Sequence, residues 1–220
     1  MKLRVILTGA TGMVGEGVLH ECIRHEDVEE VLVVGRKSCG ANHPKLKEIV
    51  HKDFFDLSAI ENLLIGYNAC FFCLGVSSVG MKEEQYYKLT YTLTMNFATT
   101  LSKHNPDMVF CYISGKSTDS SEKGRMMWAR VKGKTENDLM KLHFKDVYNF
   151  RPGVITPTKG LKNTLKLYKY LGWLIPLIKL IAPRSISSLK QLGLAMINAA
   201  TKGYEKQLLE VKDIIELAKK

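Results

Sequence analysis

The chain has 220 residues, 45% hydrophobic and 25% charged, which suits a folded globular protein and excludes a disordered or collagen-like one. Thirty-two basic residues against 22 acidic leave a net charge of +10, so the partners to weigh are nucleic acid, an anionic membrane surface and a phosphorylated small molecule, beside a merely lysine-rich surface. No run of consecutive Lys or Arg exceeds two, and no zinc-finger spacing or RNA-binding aromatic pattern occurs, so no nucleic acid is expected.

Leu3 to Leu7 is a short apolar run ending at Thr8-Gly9, the pattern of a buried strand. Val14, Val18 and Cys22 follow at helical spacing, so a helix is predicted from near Gly12. Val31 to Val34 predicts a second buried strand stopped by Gly35, and Glu48 to His51 a third. Leu57 to Leu64 reads as a helix with Ser58 as its cap, and Ala69 to Leu74 as a fourth strand ended by Gly75. A long helix over Glu83 to His104, a strand over Val109 to Ile113, a helix over Arg125 to Leu142 and a strand over Val147 to Phe150 complete the alternation. Strands alternating with helices predict an α/β fold, a Rossmann-type doubly wound parallel sheet. Helices are also predicted over Gln191 to Ala200 and Val211 to Ala218. The whole chain reads as one domain, with residues 158–220 contributing a small C-terminal helical cap over the carboxyl ends of the strands.

The sharpest motif lies between the first strand and the first helix: Gly9-Ala10-Thr11-Gly12-Met13-Val14-Gly15, a G-x-x-G-x-x-G turn. Glycines there permit a tight turn, a close approach of backbone to pyrophosphate, and close packing of helix on sheet. The helix N-terminus adds free N–H groups and a positive dipole end. Strand before and amphipathic helix after are the context in which this spacing binds a dinucleotide. NAD binders carry an acidic residue about 20 positions on, for the ribose 2′-hydroxyl. Here that place holds Gly35-Arg36-Lys37, with no carboxylate, so Arg36 and Lys37 favour a 2′-phosphate and NADP over NAD.

These residues carry a resemblance. The turn, Asp53-Phe54 after the third strand, Cys73-Leu74-Gly75 after the fourth, Tyr112-Ile113-Ser114 on the fifth and Arg151-Pro152-Gly153 after the sixth resemble extended and atypical short-chain dehydrogenase/reductases. Val131-Lys132-Gly133 and Phe150-Arg151-Pro152-Gly153 are similar to the Tat-interacting oxidoreductase branch, which is NAD-dependent-epimerase-like. The resemblance implies that Asp53 contacts the adenine, that Leu74 and Gly75 pass along the cofactor, and that Pro152, Gly153 and Val154 flank the nicotinamide. It also implies a Ser/Tyr/Lys set, with Ser114 polarising the substrate oxygen and Lys132 holding the nicotinamide ribose and lowering the pKa of a tyrosine four residues earlier. Position 128 is tryptophan, so that acid is missing, since an indole N–H cannot practically deliver its proton. Three readings stand. Hydride transfer continues with water, Ser114 or a cap residue as acid; the fold binds cofactor as a catalytically impaired regulator or scaffold; or Tyr112, on the strand of Ser114, replaces the missing phenol.

Other patterns carry less. Cys70-Phe71-Phe72-Cys73 is a C-x-x-C inside a predicted buried strand, where core thiols are expected rather than a redox pair. The six histidines show no metal-ligand spacing and no G-x-S-x-G elbow occurs, so neither a metal site nor a hydrolase triad is expected. Residues 161–181 combine Lys162, Lys166 and Lys169 with Trp173 and aliphatics; an anionic membrane surface, an apolar substrate, a homodimer contact and plain cap packing all fit. The longest uncharged apolar stretch, Tyr170 to Ile178, is far short of the roughly 20 residues of a spanning helix. The N-terminus runs into a strand without a secretory apolar region, and the five cysteines form an odd set, so reduced thiols and a cytoplasmic location are expected.

Overall fold

The computed structural model describes residues 2–163 and 185–220. Seven strands form one parallel sheet in the order β3-β2-β1-β4-β5-β6-β9. In chain order these are β1 (Leu3–Thr8), β2 (Val28–Gly35), β3 (Leu46–Val50), β4 (Ala69–Phe72), β5 (Val109–Ile113), β6 (Asp146–Arg151) and β9 (Leu208–Glu210). A separate parallel pair, β7 (Val154–Thr156) and β8 (Ile186–Ser188), follows β6. The apolar strands are covered on both faces, as a parallel sheet requires. One core layer joins Val5, Leu7, Val33 and Phe71 to α1 (Met13–Arg24), α5 (Leu189–Lys202) and α6 (Val211–Leu217). The other joins Ile6, Leu32, Phe72 and Phe110 to the helices that precede and follow β5. Those are α2 (Glu83–Tyr87), one π turn (Lys88–Thr92) and α3 (Leu93–His104), running as one helical stretch, and then α4 (Met127–Leu139).

The doubly wound sheet is as predicted; two local expectations are corrected. Between β3 and β4 only a short 3₁₀ turn forms at Glu61–Leu64 instead of a helix over 57–64. Ser58 does not cap it; the Asp56 carboxylate accepts the Ser58 N–H (3.0 Å), a local turn that competes with helix. The expected cap over 158–220 is divided. Its last part is not a cover over strand ends: β9 pairs with β6, and α5 lies on α1 in the sheet-covering layer. Glycines permit that approach, since a Cβ on Gly17 would stand 2.9 Å from Leu189 and one on Gly193 would stand 2.8 Å from Glu21. A capping box of Ser188 and Gln191 starts α5. Most of the stretch 161–181 lies outside the described residues. Its first residues are tied to α1, because the Glu16 carboxylate accepts the N–H groups of Lys162 (2.8 Å) and Asn163 (2.7 Å).

Candidate functional site

Strand order reverses between β1 and β4, which opens a crevice at the carboxyl ends of the strands. The glycine turn sits there, and its three glycines do different work. Gly9 has φ +75°, and a Cβ on it would stand 2.6 Å from the Cys73 carbonyl. A Cβ on Gly15 would fall 2.2 Å from the Gly9 oxygen, so this position is closed by the turn itself. Gly12 is different: its Cβ would meet only the Gly9 oxygen, at an ordinary 3.5 Å. Gly12 is also the cap of α1 and supplies no side-chain bond to it. The first-turn amides that follow, Met13 and Val14, have no acceptor within the helix by their position. The space before Gly12 is therefore a cradle for an anion that a side chain would fill.

From the turn a cleft of about 400 Å³ runs over β2, lined by Gly9, Thr11, Arg36, Lys37, Phe54 and Leu74 among others, and by no carboxylate. A second cleft of about 230 Å³ shares Arg36, Phe54 and Leu74 with it and adds Lys52, Asp53, Gly75 and Leu89. Eight of the cofactor residues inferred from sequence, Gly9, Thr11, Arg36, Lys37, Asp53, Phe54, Leu74 and Gly75, thus come from the ends of β1, β2, β3 and β4 to line two adjoining clefts, whereas Gly12, Met13, Val14, Gly15, Lys132, Pro152, Gly153 and Val154 line neither. Phe54 is a core residue as well, stacked on Phe97 with ring centroids 5.7 Å apart. Asp53 holds its own loop by accepting the Phe55 N–H (2.8 Å) through one oxygen. His51 Nε2 lies 2.6 Å from the Asp53 carbonyl and 2.7 Å from that of Asp56, tying the loop down further. Lys52 and Leu89 were not read as site residues; for Lys52 the available signal was its place beside Asp53.

The remaining residues inferred from sequence lie at the ends of β5 and β6 and on α4. The Ser114 N–H donates to the Phe150 carbonyl (2.9 Å), and the Ser114 hydroxyl donates to the same oxygen (3.1 Å). Lys132, on α4, donates from its ammonium to the Ser114 backbone carbonyl, which brings serine and lysine together. Burial pushes the Lys132 pKa down to about 8, and the Glu136 carboxylate one turn on opposes that shift. Glu136 is fully buried and bonded to Arg151, whose Nε lies 3.0 Å from it. Trp128 precedes Lys132 by four residues and so shares its face of α4. The Lys116 N–H reaches the Pro152 carbonyl (2.9 Å), which joins the end of β5 to Pro152, Gly153 and Val154. Gly153 is needed where the chain returns, as its Cβ would stand 2.4 Å from the Ser185 carbonyl.

Tyr112 is no substitute acid. It is 2% exposed within the core, and burial raises its phenol pKa far above the ordinary value. The C-x-x-C is not a redox pair either, because Cys70 packs into one core layer and Cys73 against the other. Burial raises both thiols well above the ordinary value.

The sequence profile of the NAD dependent epimerase/dehydratase family matches residues 5–129. Among curated proteins, the "Protein FMP52-1, mitochondrial" of Scheffersomyces stipitis is 24% identical over 99% of this chain and 100% of its own length. The "Protein fmp52-1, mitochondrial" of Aspergillus oryzae is 28% identical over 68% of this chain and 64% of its own. These relatives are named mitochondrial, which overturns the expected cytoplasmic location. Among solved structures, the Bordetella bronchiseptica enzyme WbmF in complex with NAD+ superposes with a TM-score of 0.69 at 14% identity, over 99% of this chain and 77% of that one. The UDP-N-acetylglucosamine 4-epimerase of Methanobrevibacter ruminantium gives 0.66 at 14% identity, over 98% and 81%. At such identities the likeness is one of fold.

Proposed function

Because the chain belongs to the NAD dependent epimerase/dehydratase family, we propose that it binds NADP(H) in the groove above the glycine turn and exchanges hydride with a small carbonyl or hydroxyl compound. The observation that carries this reading is the cleft leading from Gly9 to Arg36 and Lys37 with no carboxylate on its wall. A 2′-phosphate gains charge-assisted hydrogen bonds there, whereas a bare 2′-hydroxyl finds no acceptor of the kind NAD binders supply. Gly12, Met13 and Val14 would take the pyrophosphate; Asp53, Phe54, Leu74 and Gly75 the adenine end; and Lys132 with Pro152 to Val154 the nicotinamide ribose and ring. Bound there, the nicotinamide supplies or accepts the hydride. Ser114 and Lys132 then face the substrate oxygen and hold its developing charge, with water or Ser114 supplying the proton that a phenol would otherwise give.

Trp128 favours a second reading, in which the same groove binds NADP(H) in a regulator or scaffold without turnover. One experiment separates the two: fluorescence titration with NADPH and NADH, followed by a turnover screen on aldehydes and ketones. NADPH binding with turnover supports the oxidoreductase, tight NADPH binding without turnover supports the regulator, and equal affinity for the two cofactors removes the argument for NADP.

A further inference from the structure

Two ammonium groups stand at the carboxyl ends of β5 and β6 with no carboxylate to match them. Lys132 spends its hydrogen bond on a backbone carbonyl, and the nearby Glu136 is held by Arg151. Lys116, two residues past Ser114, is exposed; its ammonium bonds the neutral Ser185 hydroxyl (2.9 Å). The acids of the adjoining loop are bonded to other partners. Asp119 accepts from the Ser121 hydroxyl (2.6 Å) and from the Gly124 N–H (2.6 Å), and Glu122 accepts from Asn137 (2.7 Å). Beyond β6 the imbalance continues in the sequence, for no Asp or Glu occurs between Asp146 and Glu205.

We infer that the substrate is an anion, a carbonyl or hydroxyl compound bearing a carboxylate or phosphate, and that Lys116 is the side chain that binds this group. The inference rests on the proposed NADP(H) function of the same crevice. Lys116 retains two N–H donors beyond its bond to Ser185, enough to hold one anionic oxygen while Ser114 and Lys132 engage the reacting oxygen. An exposed ammonium in a positive field also draws anions toward the site before they bind.

The test uses the full chain with NADPH and matched pairs of aldehydes. Succinic semialdehyde and butanal differ by a carboxylate in place of a methyl group; glyceraldehyde 3-phosphate and glyceraldehyde differ by the phosphate. The anionic member of at least one pair should have a kcat/KM higher by about tenfold or more, the size of one charge-assisted contact. The pair that responds tells carboxylate from phosphate. Lys116→Gln should erase that preference with the NADPH Kd unchanged, and Lys116→Arg should retain it. A preference for the neutral members, or one that survives in Lys116→Gln, overturns the inference. If no aldehyde turns over, succinate, glycerol phosphate and 1-butanol are titrated against the NADP+ complex. Saturable binding of either anion, lost in Lys116→Gln, sustains the inference, and its absence overturns it. Failure of NADPH to bind counts against the cofactor reading alone, and the anion titration is then read on the protein without cofactor.

Discussion

The Lys132 ammonium is bonded to the backbone carbonyl of Ser114, the residue whose hydroxyl it would assist. This contact ties α4 to the end of β5 and keeps the ammonium enclosed. Burial is the main cause of its low pKa, about 8 against an ordinary 10.5. The sign follows from proton counts: between those values the unfolded chain holds a proton that the folded one has released, so this group favours folding more as pH rises through the window. A lysine gaining a carboxylate would do the reverse. Reductive ¹³C-methylation followed by NMR should therefore give one lysine signal, absent in Lys132→Arg, that titrates near pH 8. Titration of that signal with the other lysines would overturn the enclosed site.

Cofactor choice is expected to rest on Arg36. NADPH should bind more tightly than NADH by about 1–3 kcal/mol, the worth of hydrogen bonds to a charged phosphate. Arg36→Ala should remove most of the gap by weakening NADPH alone. Lys52→Gln should remove a smaller part, because Lys52 lines only the second cleft, beside Arg36. Fluorescence titrations of the three proteins with both cofactors check this, and an Arg36→Ala protein that loses both equally would point to a structural role.

The glycines of the turn separate fold from binding. Gly15→Ala puts a methyl group 2.2 Å from the Gly9 oxygen, so the turn must open and stability should fall by about 1–3 kcal/mol or more, as overpacking does. At Gly12 a Cβ meets only the Gly9 oxygen, at an ordinary 3.5 Å, so in Gly12→Val thermal unfolding should change little while NADPH binding drops sharply. Unfolding of Gly12→Val, or normal binding by it, would assign that glycine a structural part only.

These contrasts bear on what was legible in the residues alone. The turn, the absent acid at Arg36 and the strand-helix alternation were readable because each is local, set by spacing within one βαβ unit. Lys52 and Leu89 were not, because the groove that collects them is closed only when β3 and the helix after β4 come together. The C-terminal stretch was misplaced for a related reason. β9 is three residues long, too short for a periodic signal, and it is a strand only because β6 presents an open edge. The approach of α5 to α1 depends on Gly17 and Gly193, residues that in a helical pattern read as weaknesses rather than as contact points.

The pair of Glu136 and Arg151 belongs to the same class of long-range features. Glu136 is fully buried on α4 and receives Arg151 from the end of β6, 15 positions away, with Ser120 also on the guanidinium. Arg151→Met should leave an uncompensated buried carboxylate and cost about 3–5 kcal/mol, more than the pair itself is worth. The double variant Arg151→Met with Glu136→Leu should recover much of that loss in urea unfolding. A single variant as stable as the unmodified protein would mean that Glu136 reaches solvent or is protonated.

The last prediction concerns Trp128. If the protein is a reductase limited by proton delivery, Trp128→Tyr places a phenol one helical turn before Lys132, whose cation would lower its pKa. General acid catalysis is typically worth 10²–10⁴-fold, about 3–5 kcal/mol of barrier. Against that, Trp128 is half-buried and its indole is larger than a phenol. A phenol in the same space leaves a void, and a misplacement of about 1 Å costs as much as 10²-fold. The expected result is a modest gain in kcat for Trp128→Tyr over both Trp128 and Trp128→Phe, with NADPH affinity unchanged. A gain in tyrosine alone identifies the missing acid as the limit on the reaction. Equal rates in all three proteins, lost in Lys132→Ala or Ser114→Ala, would instead mean that another group already delivers the proton. No turnover in any of them, with NADPH binding intact, would move the protein from oxidoreductase to cofactor-binding regulator.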